Sequence, residues 1–359
     1  MWRCVVVCCF TLLAGCGSER QAASVPTPTP TPPPAAFSFQ HQGLTGITAT
    51  RLYQQHGLLF AVSTDGLYIS SGDGSWQSAG LQGFDLEDVV AISEQHFIAA
   101  TYQQDSDGFR RHVLFESYNG GADWVEVKHQ FGLHGETEAI YALLYDSNTQ
   151  RLYATGTEAL AYSTDLGISW QLLHGSWQGF GQAKSALAFN SSNNDIWFGG
   201  QGGIENPVLL QVAVKDGSAK LHLNLMPAPS SIYGVRFAPD NANSVYVSGE
   251  GGVVHSSDNG ASWRTLLGDK NYRFYFDIAI DPARPQHIYT AGWNKQFDEP
   301  QPLIIEWSDN GGAAWQQYQY PAPASFFGGV RSMLLVQEQG RNVLYLGLWK
   351  GGIMRVVPN

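Results

Sequence analysis

Beyond residue 16 the chain has no cysteine: its four, Cys4, Cys8, Cys9 and Cys16, all lie in the first sixteen residues. The rest of the chain can form neither a disulfide nor a cysteine-ligated metal site, so its stability must come from a buried core. Basic residues are scarce as well. Twenty Lys and Arg stand against 31 Asp and Glu, a net charge of −11, and no basic run interrupts the acidic balance. This argues against nucleic acid as a partner and against electrostatic adhesion to anionic lipid. The ten histidines show neither H-x-H nor H-x-x-x-H spacing. A metal centre and a Ser-His-Asp triad therefore lack a signature, and no cofactor is expected. There is little helical periodicity, and the apolar stretch from Val5 to Leu13 is too short to span a bilayer as a permanent anchor.

That short run, preceded by Arg3, reads as an export leader. It ends in "LAGC", Leu13 to Cys16, which resembles the lipobox of bacterial lipoproteins. The resemblance implies a signal peptide over residues 1–15, removed before Cys16. It also implies diacylglycerol on the Cys16 sulfur and an acylated new amino terminus. The alternative is an ordinary signal peptide that happens to hold a cysteine. Two or three acyl chains would anchor the protein stably. Residues 16–35 then form the lipidated cysteine and a tether. In "VPTPTPTPPP" (25–34) proline falls at nearly alternate positions, which favours a semi-rigid polyproline conformation. The expected location is the extracytoplasmic face of a bacterial membrane, inner or outer, with residues 36–359 as the folded part and a monomer as the expected state.

The folded part is rich in what β-structure uses: 40 glycines in the chain and 13% aromatic residues. It also repeats one phrase. "SYNGGADW" (117–124), "STDLGISW" (163–170), "SSDNGASW" (256–263) and "SDNGGAAW" (308–315) share a frame, and "SSGDGSW" (70–76) is a shortened copy. The closing tryptophans stand at 76, 124, 170, 263 and 315, and the one wide gap holds a turn without tryptophan in "AVKDGSAKLHL" (213–223). A period near 46 residues matches a four-stranded propeller blade. In register with the phrases run inner hairpins such as "VRFAPDNANSVYVSG" (235–249), beginning near residues 47, 86, 140, 184, 231, 276 and 329. The reading is an all-β, single seven-bladed propeller. Its last blade, "VRSMLLVQEQGRNVLYLGLWKGGIMRVVP" (330–358), has three strands, and "AFSFQHQGL" (36–44) is expected to supply the fourth and close the ring. In the phrase, Asp73, Asn119, Asp165, Asp258 and Asn310 hydrogen-bond their own turns and glycine supplies a positive φ. The aspartates are thus structural, with no metal, and the tryptophan packs between blades.

The frame S-x-[DN]-x-G-x-x-W resembles the Asp-box, or BNR, repeat of sialidases, sortilin-type receptors, xyloglucanases and photosystem II assembly factors. "GEGGVVHSSDNGASW" (249–263) carries the longest stretch of it. The resemblance covers about residues 36 to 358 and implies the propeller fold, which hosts many activities. The Arg-Ile-Pro motif of sialidases should precede the first box, but the one near match, "VRFAP" (235–239), follows three boxes. Xyloglucanase-like enzymes place two aspartates between two propellers, and this chain holds one. Assembly factors carry a basic patch, whereas this chain is acidic.

Ligand sites are expected on the face formed by the B–C and D–A loops, opposite the repeated turns. Those loops carry Trp177, Phe180, Tyr272, Trp293, Phe297, Phe326, Phe327 and Trp349, which either line a groove for sugar rings or extended peptide or cover the blade tops. At the starts of inner strands, Asp88, Glu138, Lys184, Arg236, Asp277 and Arg331 converge on the channel mouth, as a ligand site or as a salt-bridged ring. The leading expectation is non-catalytic binding of an extracytoplasmic protein or polysaccharide. The alternative is a glycoside hydrolase with Asp277, Glu138 and Asp88 as candidate catalytic carboxylates.

Overall fold

The computed structural model describes residues 36–359 apart from 105–109, 135–137, 180–182, 204–205, 224, 227–230, 270 and 272. The leader, Cys16 and the tether lie outside the described residues, as do Phe180 and Tyr272. Twenty-eight strands pair antiparallel into seven four-stranded sheets, with no helix among the described residues. Each sheet is one blade of a seven-bladed propeller. The innermost strands, A, are Ala49–Gln55, Asp85–Ala91, Ala142–Asp146, Ala186–Asn190, Ile232–Ala238, Phe274–Ile280 and Val330–Glu338, in blades 1 to 7. Each starts within two residues of the position expected from the inner-hairpin pattern.

The alternation of side chains along a strand explains why the blades stack. Strand B of blade 2 begins Phe97-Ile98-Ala99-Ala100, all fully buried. Phe97 and Ala99 join the apolar cluster between blades 1 and 2, and Ile98 and Ala100 that between blades 2 and 3. A strand buried on both faces reads as an unbroken apolar run. Seven such clusters exist, one at each interface between neighbouring blades. The core is thus a ring of interfaces around a central channel.

Closure comes from the first strand. Phe37–His41 pairs with Gly352–Pro358, from Phe37 opposite Pro358 to His41 opposite Met354. Phe37 packs edge-on against Trp307 at 5.0 Å, and Phe39 lies 4.5 Å from Tyr320, so this strand also covers the outer part of blade 6.

The four full phrases form the same turn between strands C and D. In blade 5, Ser256 Oγ donates to Asp258 Oδ1 at 2.7 Å and accepts from the Gly260 amide at 2.8 Å, while Asp258 Oδ1 accepts from the Ser262 amide at 2.8 Å. Ser163 and Asp165, Ser117 and Asn119, and Ser308 and Asn310 repeat the arrangement. In the shortened copy Asp73 accepts from the amide and hydroxyl of Ser75. The shared glycine has two reasons to be there. At Gly260 φ is +76°, and a Cβ would stand 2.3 Å from the His222 ring of the preceding blade. The closing tryptophans reach that blade too: Trp124 Nε1 donates to Ala79 O and Trp315 Nε1 to Leu266 O.

Candidate functional site

Five of the seven A strands carry an irregularity near their first residues. Their pairing with strand B skips from Ala49 to Arg51, Leu86 to Asp88, Ile232 to Gly234, Tyr275 to Ile278 and Val330 to Ser332. A bulge re-aims side chains that a regular pleat would direct toward a neighbouring blade. The skipped residues are Thr50, Glu87, Tyr233, Phe276 with Asp277, and Arg331. All of them line one cavity of about 300 Å³ at the D–A/B–C end of the channel, together with Arg51 and Arg236.

The three arginines of this cavity differ in their partners. Arg51 reaches across the channel. Its Nε donates to Glu87 O at 2.9 Å, and its Nη2 donates to Tyr141 O at 3.0 Å and Ser185 O at 2.9 Å. It therefore ties blade 1 to blades 2, 3 and 4, with the Asp88 carboxylate 3.8 Å away. Arg236 pairs with Asp277 through Nη2 and Oδ2 at 2.6 Å. Arg331 has no hydrogen bond or ion pair among the described residues, and its Nε is buried without a partner. Its guanidinium lies over three aromatic faces, 4.0 Å from the Phe276 centroid, 5.3 Å from Trp293 and 5.4 Å from Trp349. Burial pushes this group down to about 10; Tyr233 opposes the shift and Arg51 adds to it.

The candidate carboxylates are differently placed. Asp88 is buried behind the cavity lining, where Oδ1 accepts from Tyr53 Oη at 2.7 Å and the Val89 amide at 2.8 Å, and Oδ2 from the Leu143 amide at 2.8 Å. Burial raises its pKa, against the pull of Arg51 and those donors. Asp277 does line the cavity. Burial pushes it up, opposed chiefly by Arg236, and its Oδ1 accepts from the Ile278 amide at 2.8 Å. Glu138 is away from the cavity and accepts from the Thr157 amide at 2.9 Å.

Two of the expected contact residues, Lys184 and Trp293, are buried, and a third, Trp177, is half-buried. Lys184 is 1% exposed, and its Nζ donates to Thr157 O and Gln201 O at 2.9 Å each, joining blades 3 and 4. Trp293 is fully buried and presents no face to the rim. Trp177 packs edge-on against Phe131 at 4.9 Å, as part of the cluster between blades 2 and 3. Trp293 ends its strand inside the fold and Trp177 packs back onto the blades, because large aromatic surface is more stable covered than wet.

Trp293 is instead the hub of an aromatic strip. Tyr233 lies 4.4 Å from Phe276, Phe276 5.9 Å from Trp293, and Trp293 5.2 Å from Trp349 and 4.9 Å from Phe297. Trp349 Nε1 donates to Phe297 O at 2.7 Å. Beyond Trp349, Lys350 stands beside Phe327, and Phe326 and Phe327 line a second concavity with His41, Tyr320 and Pro323. The strip thus runs from the channel to the rim. Arg51, Glu87, Tyr233 and Phe276 were not among the candidates from sequence. A signal for them existed: with the blades aligned on Leu52, Val89, Val235, Ile278 and Met333, the two residues before each apolar position form one column pair. Among the described residues no cluster of His, Asp and Glu is arranged to hold a metal ion.

No protein-family model and no curated protein matches the chain. Solved structures do. The extracellular domain of a hybrid two-component system from B. thetaiotaomicron aligns with a TM-score of 0.60 at 13% identity, over 89% of this chain and 42% of that one. A GH74 xyloglucanase from Xanthomonas campestris aligns with a TM-score of 0.50 at 14% identity, over 88% of this chain and 60% of the enzyme. The chain therefore spans less than two thirds of either neighbour. At such identities the shared feature is the propeller fold.

Proposed function

We propose that this protein is a lipoprotein anchored through Cys16 outside the cytoplasmic membrane, and that its propeller binds polysaccharide without catalysis at the D–A/B–C face. The observation that carries this reading is the pairing of the cavity's neighbours. Asp88 is filled by three donors behind the lining, Asp277 is ion-paired and Glu138 is elsewhere, so among the described residues the three candidate carboxylates form no pair facing each other across the cavity. The aromatic strip supplies flat apolar faces of the kind that sugar rings lie on, with Lys350 and Arg331 beside them.

Ala36 hydrogen-bonds through its carbonyl to the Asn359 amide, at the end of the last blade that carries the C–D turns. The recurring Ser-Asp turns are consistent with the Asp-box resemblance.

Residues 36–359 contain all seven interface cores and the closing strand, so the soluble ring is the natural reagent. It would be incubated with a panel of extracellular polysaccharides, and mass spectrometry would follow retained material and new reducing ends. Retention without cleavage is expected. One observation favours a second reading, glycoside hydrolysis: Asp277 lines the cavity with a raised pKa, as a general acid would. New reducing ends that vanish in Asp277→Asn would establish it and overturn the first.

A further inference from the structure

We infer that the channel cavity seats the carboxylate of a uronate sugar against Arg331. This rests on the polysaccharide reading above and names the chemistry of the residue bound. A guanidinium has five N–H donors and binds a carboxylate through two parallel hydrogen bonds. Arg51 directs its donors to three carbonyls, and Arg236 to Asp277 and its neighbour's Val235 O. Arg331 directs none to protein among the described residues, and its Nε is a buried donor without an acceptor there.

Aromatic faces hold the Arg331 cation but cannot accept all of its N–H bonds. They do confine it, because Phe276, Trp293 and Trp349 stand around it at 4.0 to 5.4 Å. A cation held beside the cavity, with no protein acceptor among the described residues, is an anion receptor ordered before the ligand arrives. The molecule as a whole makes the position more telling. A chain with 20 basic and 31 acidic residues keeps an arginine where burial opposes its charge and no ion pair among the described residues compensates it. Glu87 and Asp277 line the same cavity, and Asp277 is occupied by Arg236.

The sugar part of the inference comes from the surroundings of the arginine. The cavity, about 300 Å³, is at the small end of ligand pockets and suits one ring with its substituents. Tyr233 and Phe276 wall it, and Trp349 and Phe297 continue the aromatic surface outward, with Phe297 54% exposed. Sugar rings can meet the accessible parts of Tyr233, Phe276, Trp349 and Phe297, with buried Trp293 behind them, and place one acidic residue at the inner end. An extended peptide would need backbone donors and acceptors along the same path, and the strip offers rings.

Calorimetry with the soluble ring tests this, using polygalacturonate, a neutral galactan, a sulfated glucan and polyglutamate as probes. Polygalacturonate should bind, and Arg331→Gln should weaken it at least tenfold. Arg331→Lys, which retains charge but not the fork, should recover part of the loss. The melting temperature of Arg331→Gln should match or exceed that of the parent, showing that the lost binding is not lost folding. Equal binding of galactan and polygalacturonate, unaffected by Arg331→Gln, would overturn the uronate inference and leave the polysaccharide reading intact. Preference for the sulfated glucan would likewise overturn the uronate alone. Binding of polyglutamate with every glycan silent would overturn both, as would silence throughout.

Discussion

Replacing Arg51 by methionine should destabilise the ring by about 3–5 kcal/mol. The figure follows from what the side chain holds. Three hydrogen bonds from a charged donor, at 2.9, 3.0 and 2.9 Å, satisfy carbonyls of three other blades, and such bonds contribute about 1.5–3 kcal/mol each before relaxation. The substitution also strips the nearest cation from Asp88, which is 1% exposed. Breaking a buried charge pair from one side alone costs about 3–5 kcal/mol, so the sum is capped near that range by repacking and water entry. At roughly 1–2 °C per kcal/mol for a domain this large, the melting temperature should fall by roughly 5 °C. Calorimetry or chemical denaturation of the soluble ring measures it. The double variant Arg51→Met/Asp88→Asn should be less destabilised than the sum of the singles by about 1–3 kcal/mol, because the orphaned charge is gone. A single-variant loss below about 1 kcal/mol, or strict additivity in the double, would refute the view of Arg51 as a clamp across the channel. The contrast with Arg331 sharpens the test. Its folded value near 10, against an ordinary 12.5, corresponds to at most about 3 kcal/mol of strain at any pH well below 10, where both folded and unfolded states are charged. Arg331→Gln should therefore be neutral or stabilising. Two arginines lining one cavity should fail in opposite ways.

Deleting residues 36–44 should abolish cooperative unfolding of the ring or lower its melting temperature by more than any point variant, since it removes the strand paired with Gly352–Pro358 and uncovers Trp307 and Tyr320; circular dichroism melts would show it. Acid should weaken the ring between pH 6.5 and 4. Burial pushes His222 and His255 down to about 4, with Lys220 and Arg264 respectively adding to the shift. Their neutral forms thus contribute stability that is complete above the unfolded value and lost as pH falls through 6.5 toward 4. At about 1.4 kcal/mol per unit the ceiling is about 3 kcal/mol each, and His222→Gln should flatten the pH–stability curve in denaturant titrations. Ser256→Ala should cost about 1–3 kcal/mol, because the Gly260 amide loses its acceptor in a buried turn; a loss within error of zero would show that the turn is held by Asp258 alone.

Several of these positions show how far the sequence could be read. The phrase Ser256 to Trp263 could be understood from eight residues, because the hydrogen bonds of Ser256 and Asp258 that shape it lie within the turn itself. The closing strand was legible for a similar reason: three strands in the last blade and one apolar stretch at the other end leave a single way to complete a sheet. The roles of Asp88 and Arg331 were not legible. Both stand near the start of an inner strand, and nothing local separates a carboxylate that receives three donors from an arginine that meets only aromatic rings. Their partners come from other blades: Leu143 for Asp88 across 55 residues, and Phe276 and Trp293 for Arg331.

By itself, then, the sequence determined the seven blades, the turn that closes most of them and the way the ring joins, because periodic burial and turn chemistry act over a few residues at a time. Only the tertiary structure decided which charged groups are paired and which has no partner among the described residues, and which tryptophans are core. Those distinctions arise where strand starts from separate blades meet at the channel axis. There burial and pairing depend on neighbours that no single blade contains.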